Sequence, residues 1–270
     1  MLRTTVNLQA RIEKYRERGI QELDAHVLLL IEETAVALFN SFPDHFVLFG
    51  GVTLVLFHGS PRVSRDLDLL PSPGQPPAAE EIQKVVFAAI QPIAEVLGLG
   101  QIEFKQDIVT AGLTRQWVLA DQNPLFSIDL TTIGGGVLQS QILQHTITGI
   151  PDGIVLAPNA NYLLFQKCET FLSRRFVKAR DAFDIHLLLS RRAALDQILR
   201  AHLEDFLSMN EFHGEFIDAR IRSVTPKLCT VELRPVLPAS VFEELEKQDF
   251  QPIHSSLRTV FAEWLEESSK

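Results

Sequence analysis

Residues Phe46–Leu70 read FVLFGGVTLVLFHGSPRVSRDLDLL. An apolar run ends in Gly50-Gly51, an apolar helix-forming run follows, and a polar turn leads into DLDLL. Side chains alternate faces along a strand, so Asp66 and Asp68 point the same way, roughly 6–7 Å apart along the backbone. Leu67 and Leu69 point the other way, into a core. Two close carboxylates repel each other unless a cation sits between them, and a carboxylate pair completed by substrate phosphates is a common way to hold Mg²⁺. A helix that begins at a glycine turn offers free backbone N–H groups and the positive end of its dipole to an anion. Glycine also permits both the tight turn and the close approach of a phosphate.

Either fragment alone has a plain structural explanation, a turn for the glycines and a surface strand for D-x-D. In the order strand, Gly-Gly, helix, turn, D-x-D strand they are far more specific. The run resembles the first motif of the nucleotidyltransferase superfamily and, more narrowly, that of the AbiEii/AbiGii toxin-like nucleotidyltransferases. The narrower signature adds a glycine and R-x-S before the carboxylates, matched by Gly59, Arg62 and Ser64. The resemblance implies that Gly50, Gly51, Arg62 and Ser64 bind the nucleotide and that Asp66 and Asp68 are catalytic metal ligands for Mg²⁺ or Mn²⁺.

With 270 residues the chain can bury a sizeable core, as one large or two small domains. Its formal charge of −9 repels nucleic acid as a whole, so such contact requires a local basic patch. Cys168 and Cys229 lack Cys or His neighbours at zinc-ligand spacing and read as reduced thiols of a cytosolic protein. The beginning lacks the apolar core of a signal peptide. HVLLLIEETAVALF is too short and too charged to span a bilayer, so no membrane association is expected.

Residues 5–40 predict two helices, Gln9–Arg18 and Leu23–Phe39, broken near Gly19. After the D-x-D strand, a Pro/Gly-rich loop leads to a helix ending near Leu97. Ile102–Phe104, Leu113–Leu119 and Leu125–Thr131 read as strands. The last contains Asp129 between Ile128 and Leu130. A lone strand Asp can be an edge residue or turn ligand; the superfamily resemblance makes it the candidate third metal carboxylate. Gly134-Gly135-Gly136 lacks the Lys and Ser/Thr of a P-loop and reads as a flexible loop. Residues 143–156 fit a hairpin turning at Pro151-Asp152-Gly153. From Ala157 the pattern is mostly helical: after the helices around Lys167 and Asp181, helices are expected at about 193–208, 211–222, 240–247 and 254–267, with Thr225–Pro238 a connection.

FQKCETFLSRRFVKARDAFDIHLLL is the second informative stretch. It resembles the late motif of the same family, a Lys followed after a spacer by R-D-x-x-D: Lys167, Arg180, Asp181 and Asp184. On one straight helix Lys167 and Asp181 would lie roughly 21 Å apart, so a shared role requires a turn between Arg174 and Lys178. The resemblance makes Lys167 a catalytic, nucleotide-binding cation and Asp181 a catalytic acid that orients it or assists the hydroxyl nucleophile; the alternatives are a solvated Lys and an ion-paired Asp. Arg174, Arg175, Lys178 and Arg180 form a basic cluster, readable as an acceptor-binding patch for a nucleic-acid backbone or as a solvated face.

The expected fold is α+β: a nucleotidyltransferase-like mixed sheet with flanking helices over residues 1–156, then a helical domain over 157–270 that completes an active-site cleft. The expected activity is transfer of NMP from NTP to a hydroxyl with release of pyrophosphate. The resemblance further implies a toxin of a toxin–antitoxin or phage-defence pair, a cognate antitoxin partner and, for some relatives, a tRNA 3′ end as acceptor. The alternatives are a non-catalytic nucleotide- or protein-binding module and an aminoglycoside-type small-molecule nucleotidyltransferase.

Overall fold

A computed structural model describes residues 7–71, 77–110, 113–131 and 139–267. The Gly134–Gly136 loop and most of the Pro/Gly-rich loop lie outside the described residues. The chain divides into two units, Met1–Pro158 and Asn159–Lys270.

The first unit opens with helices α1 (Leu8–Arg16) and α2 (Glu22–Ser41). Strand β1 (Phe46–Phe49), helix α3 (Gly50–Phe57) and strand β2 (Asp66–Pro71) follow, as the motif predicts. Helix α4 (Ala79–Val96) leads to β3 (Ile102–Thr110), β4 (Leu113–Ala120) and β5 (Asn123–Thr131). The five strands form one mixed sheet in the order β1-β2-β5-β4-β3. Only β2 and β5 run parallel; the other neighbours are antiparallel. Strand β3 continues well past the expected Phe104, because it pairs with β4 along most of its length.

Alternation decides the two faces. Leu67 and Leu69 on β2, Val118 and Ala120 on β4, and Phe126, Ile128 and Leu130 on β5 are buried. They join Leu28, Ile31 and Val36 of α2 and Ile82, Val86 and Ile90 of α4 in one apolar core. The i, i+4 and i, i+8 spacing of the α4 residues places them on one stripe facing the sheet. A separate hairpin, β6 (Ile142–Thr146) and β7 (Ile154–Pro158), closes this unit. A buried polar group fastens α1 to α2: Tyr15 Oη donates to Glu32 at 2.6 Å, and the Arg11 guanidinium spans Glu32 and Glu33.

The second unit is helical throughout its described residues: α5 (Ala160–Ser173), α6 (Ala179–Ser190), α7 (Gln197–Met209), α8 (Gly214–Arg222), α9 (Pro226–Leu233), α10 (Ala239–Lys247), α11 (Gln251–Val260) and α12 (Ala262–Glu267). Two expectations need correction. The supposed connection at Thr225–Pro238 contains α9, whose Thr225 side chain accepts from the Leu228 N–H while Pro226 starts the first turn. The supposed helix at 254–267 is two helices that meet at Phe261. Cys168 and Cys229 are both free and buried, and burial pushes the Cys229 thiol up to about 12. Among the described residues, no helix is long and apolar enough to cross a membrane.

Candidate active site

The two glycines are required by what they touch. Gly50 begins α3 at φ +76°, a left-handed conformation that glycine adopts at little cost. A Cβ at this position would stand 1.8 Å from Asp68 Oδ2. A Cβ on Gly51 would stand 2.6 Å from both Arg62 Nη2 and Ser64 Oγ. The missing side chains therefore let the start of α3 seat directly against the D-x-D carboxylate and the R-x-S pair. Arg62 and Ser64 are themselves buried, and the Arg62 N–H donates to Ser60 Oγ, which pins the turn leading into β2.

Asp66 and Asp68 are half-buried on the face of β2 opposite Leu67 and Leu69. The register extends the row across the sheet: Asp66 lies beside Ser127 and Asp68 beside Asp129. Ser127 Oγ donates to Asp66 Oδ1 at 2.9 Å, fixing that carboxylate in orientation. The next strand supplies a cation. Arg115 sits opposite Asp129 and grips it with two hydrogen bonds, Nε to Oδ1 at 2.8 Å and Nη2 to Oδ2 at 2.5 Å. The bonds to Asp129, and the further field of Asp66 and Asp68, push the Arg115 pKa up.

These groups fit a divalent cation in one particular way. The donors are hard carboxylate oxygens on one face of β2, which suits Mg²⁺ held by two carboxylates plus oxygens of a substrate. Among the described residues, no group of three or more His, Cys, Asp or Glu has the arrangement of a self-contained metal site. Asp129 stands in line with the pair, yet both its oxygens are bonded to Arg115. Sequence reading assigns Arg115 no role; the available signal was an Arg two residues before Trp117 on the strand that precedes that of Asp129.

The second constellation lies wholly within the helical unit. Helix α5 ends at Ser173 and α6 begins at Ala179, so the chain turns where the spacing demanded it. The turn brings Lys167 Nζ 2.8 Å from Asp184 Oδ2 and 3.7 Å from Asp181 Oδ1. Asp184 is fully buried and Asp181 nearly so. Arg174 Nε stands 2.7 Å from Asp181 Oδ2, an ion pair without hydrogen-bond alignment. Asp184, not Asp181, is thus the nearer partner of Lys167. The basic cluster is divided: Arg174 faces Asp181, Lys178 bonds Glu232 at 3.0 Å, and Arg175 lies over the exposed Phe176 ring. Among the described residues, no ion pair involves Arg175 or Arg180.

A mixed sheet with a D-x-D strand beside a Gly-Gly helix start, followed by a helical unit, is a nucleotidyltransferase-like fold. The chain belongs to the family described as nucleotidyl transferase AbiEii toxin, type IV toxin–antitoxin system, whose sequence model matches residues 35–266. Among solved structures, the chain is similar to JHP933 from Helicobacter pylori, with a TM-score of 0.53 and 16% identity over 93% of this chain and 96% of that one. It is equally similar to a second H. pylori protein, provisionally assigned as a nucleotidyltransferase, with a TM-score of 0.52 and 18% identity over 92% and 98% of the two chains. A looser likeness joins it to MenT4, a nucleotidyltransferase toxin of Mycobacterium tuberculosis, with a TM-score of 0.42 and 15% identity over 73% and 67%. A search of curated proteins returned no match.

Proposed function

We propose that the protein transfers a nucleoside monophosphate from an NTP to a hydroxyl of an acceptor, releasing pyrophosphate, in a reaction that requires Mg²⁺ or Mn²⁺. The observation that supports this reading is the seating of the motif: Gly50 against Asp68, and Gly51 against Arg62 and Ser64, so that the helix start adjoins both the R-x-S pair and the D-x-D strand. Asp66 and Asp68 would hold the metal, which when bound supplies charge neutralisation at the phosphates. The backbone N–H groups at the start of α3, with Arg62 and Ser64, would receive phosphate oxygens. Ser127 keeps Asp66 aimed, so the carboxylate is oriented before substrate arrives.

Within the helical unit, Lys167 is the candidate phosphate-binding cation, with Asp184 and Asp181 fixing its ammonium. Catalysis of this kind is positioning and charge neutralisation. The acceptor is a nucleic acid, a tRNA 3′ end being the first to try, with Arg175 and Arg180 as backbone contacts. The family's description supplies the remaining partner, an antitoxin.

The test incubates the purified protein with Mg²⁺ and each α-labelled NTP, with and without total tRNA, beside an Asp66→Ala/Asp68→Ala control. Label moving to tRNA, and lost in the control, is the expected result. Transfer that survives in the control would overturn the assignment; label on protein or a small molecule would keep the chemistry and replace the acceptor.

A further inference from the structure

On the sheet face that bears Asp66 and Asp68, strand β4 presents two half-buried side chains that the motif does not explain, Arg115 and Trp117. Each is held by a carboxylate. Arg115 is gripped by Asp129 through two hydrogen bonds, and Trp117 Nε1 donates to Asp107 Oδ2 at 2.9 Å across the β3–β4 pair. The two also meet each other, with the Arg115 guanidinium carbon 5.1 Å from the centre of the indole. A surface tryptophan and arginine ordinarily sample several rotamers; here the indole N–H and two guanidinium N–H groups are bonded to carboxylates and the guanidinium lies over the indole, so both are set in advance.

The register places them beside the carboxylate pair. Trp117 is opposite Ser127, which is beside Asp66, and Arg115 is opposite Asp129, which is beside Asp68. Two inter-strand steps put Trp117 about 10 Å from Asp66 along the sheet, the order of distance by which ribose and base extend from a nucleotide's phosphates. The grip on Asp129 uses Nε–H and one Nη2–H, leaving three of the five guanidinium donors for another acceptor. Indole faces stack any base, and such stacking is a major source of nucleotide affinity.

We propose that Arg115 and Trp117 form a nucleotide-binding platform beside Asp66 and Asp68, where Trp117 stacks the base and Arg115 takes a phosphate oxygen. In this arrangement Asp129 is a positioning residue that aims Arg115, not a metal ligand, and Asp107 positions the indole. The proposal rests on the nucleotidyltransferase reading for its choice of ligand. The base can come from the NTP or from the end of the acceptor, and the two sources are separable.

The chain has two tryptophans, Trp117 and Trp264, so Trp264→Phe leaves Trp117 as the sole fluorophore. That variant is titrated with each NTP and Mg²⁺, and separately with a short single-stranded RNA. Saturable quenching by an NTP assigns the platform to the donor base; quenching by RNA alone assigns it to the acceptor. Trp117→Ala should weaken binding of the quenching ligand, read by calorimetry, by about ten-fold or more, while Trp117→Phe retains most of it. Asp129→Asn should weaken nucleotide binding as well, yet leave Mn²⁺ affinity, read by the paramagnetic signal of free Mn²⁺, unchanged. If neither ligand perturbs Trp117 while label transfer proceeds, the platform is wrong and the reaction stands. If a nucleotide quenches Trp117 but no acceptor is ever labelled, the platform stands and the reaction assignment falls. Loss of Mn²⁺ binding in Asp129→Asn with unchanged quenching would restore Asp129 as a metal ligand and refute its positioning role.

Discussion

Gly50→Ala is the sharpest perturbation that the structure offers. The substitution incurs two separate costs. At φ +76° an L-residue pays roughly 1–2 kcal/mol for the left-handed conformation. The new methyl would also stand 1.8 Å from Asp68 Oδ2, 2.7 Å from its Cγ and 3.1 Å from its Cβ. Moving the carboxylate tip alone does not relieve a contact with Cγ, so Asp68 must rotate or the start of α3 must shift. Overpacking of that kind costs about 1–3 kcal/mol, for a total of about 2–5 kcal/mol. In a chain of this size the melting temperature should fall by roughly 5–15 °C. The displaced group is a proposed metal ligand, so transfer by the folded fraction should drop by about a hundred-fold, the scale set by an ångström of misplacement. Gly51→Ala is the control. Its Cβ meets Arg62 Nη2 and Ser64 Oγ at 2.6 Å and Ser64 Cβ at 3.2 Å, contacts looser than those at Gly50, and Gly51 is not left-handed. It should melt only a few degrees below wild type while losing nucleotide affinity. Thermal melting and the α-labelled transfer assay read both variants. A Gly50→Ala protein that melts within about 2 °C of wild type and transfers label normally would refute the seating of Asp68 against the helix start.

Asp184→Ala removes the closer partner of the largely buried Lys167, and Asp181 at 3.7 Å replaces it only in part; denaturant unfolding should show a loss of about 2–4 kcal/mol. A loss below about 1 kcal/mol would mean that Lys167 finds solvent instead. His58 sits beside His145, and burial together with that second imidazole lowers its pKa to about 4. The unfolded chain binds this proton near pH 6.5 and the folded one resists it, so the neutral ring contributes stability above pH 6.5 that is lost as pH falls toward 4. Melting curves between pH 7 and pH 4 should therefore fall less steeply in His58→Asn; an unchanged slope would remove His58 from the acid limb.

What the sequence made legible depended on whether a signal was local. The alternation of D-x-D, the Gly-Gly break and the order of elements around them are properties of adjacent residues, and the fold of the first unit follows them. The proline-bearing stretch Thr225–Pro238 reads as a connection, yet Thr225 is a cap and Pro226, at the first helical position, has no hydrogen bond to lose. The partners of Lys167 could have been counted. Lys167 lies six residues before the end of α5, and Asp184 lies five residues after the start of α6, whereas Asp181 lies only two after it. In two helices folded back on each other, residues at equal distance from the turn share a height, at 1.5 Å per residue. Asp184 is thus level with Lys167, and Asp181 is nearer the turn, beside Arg174. Arg115 is a different case. Its pairing with Asp129 depends on the register of β4 against β5, and a slip of one residue would turn Arg115 into the core and Gln116 toward the carboxylates. Apolar burial settles that register: Val118 and Ala120 must face inward, which forces Arg115 and Trp117 outward onto the face of Asp66 and Asp68. The charge of the site is therefore set by the packing of the opposite face of the sheet.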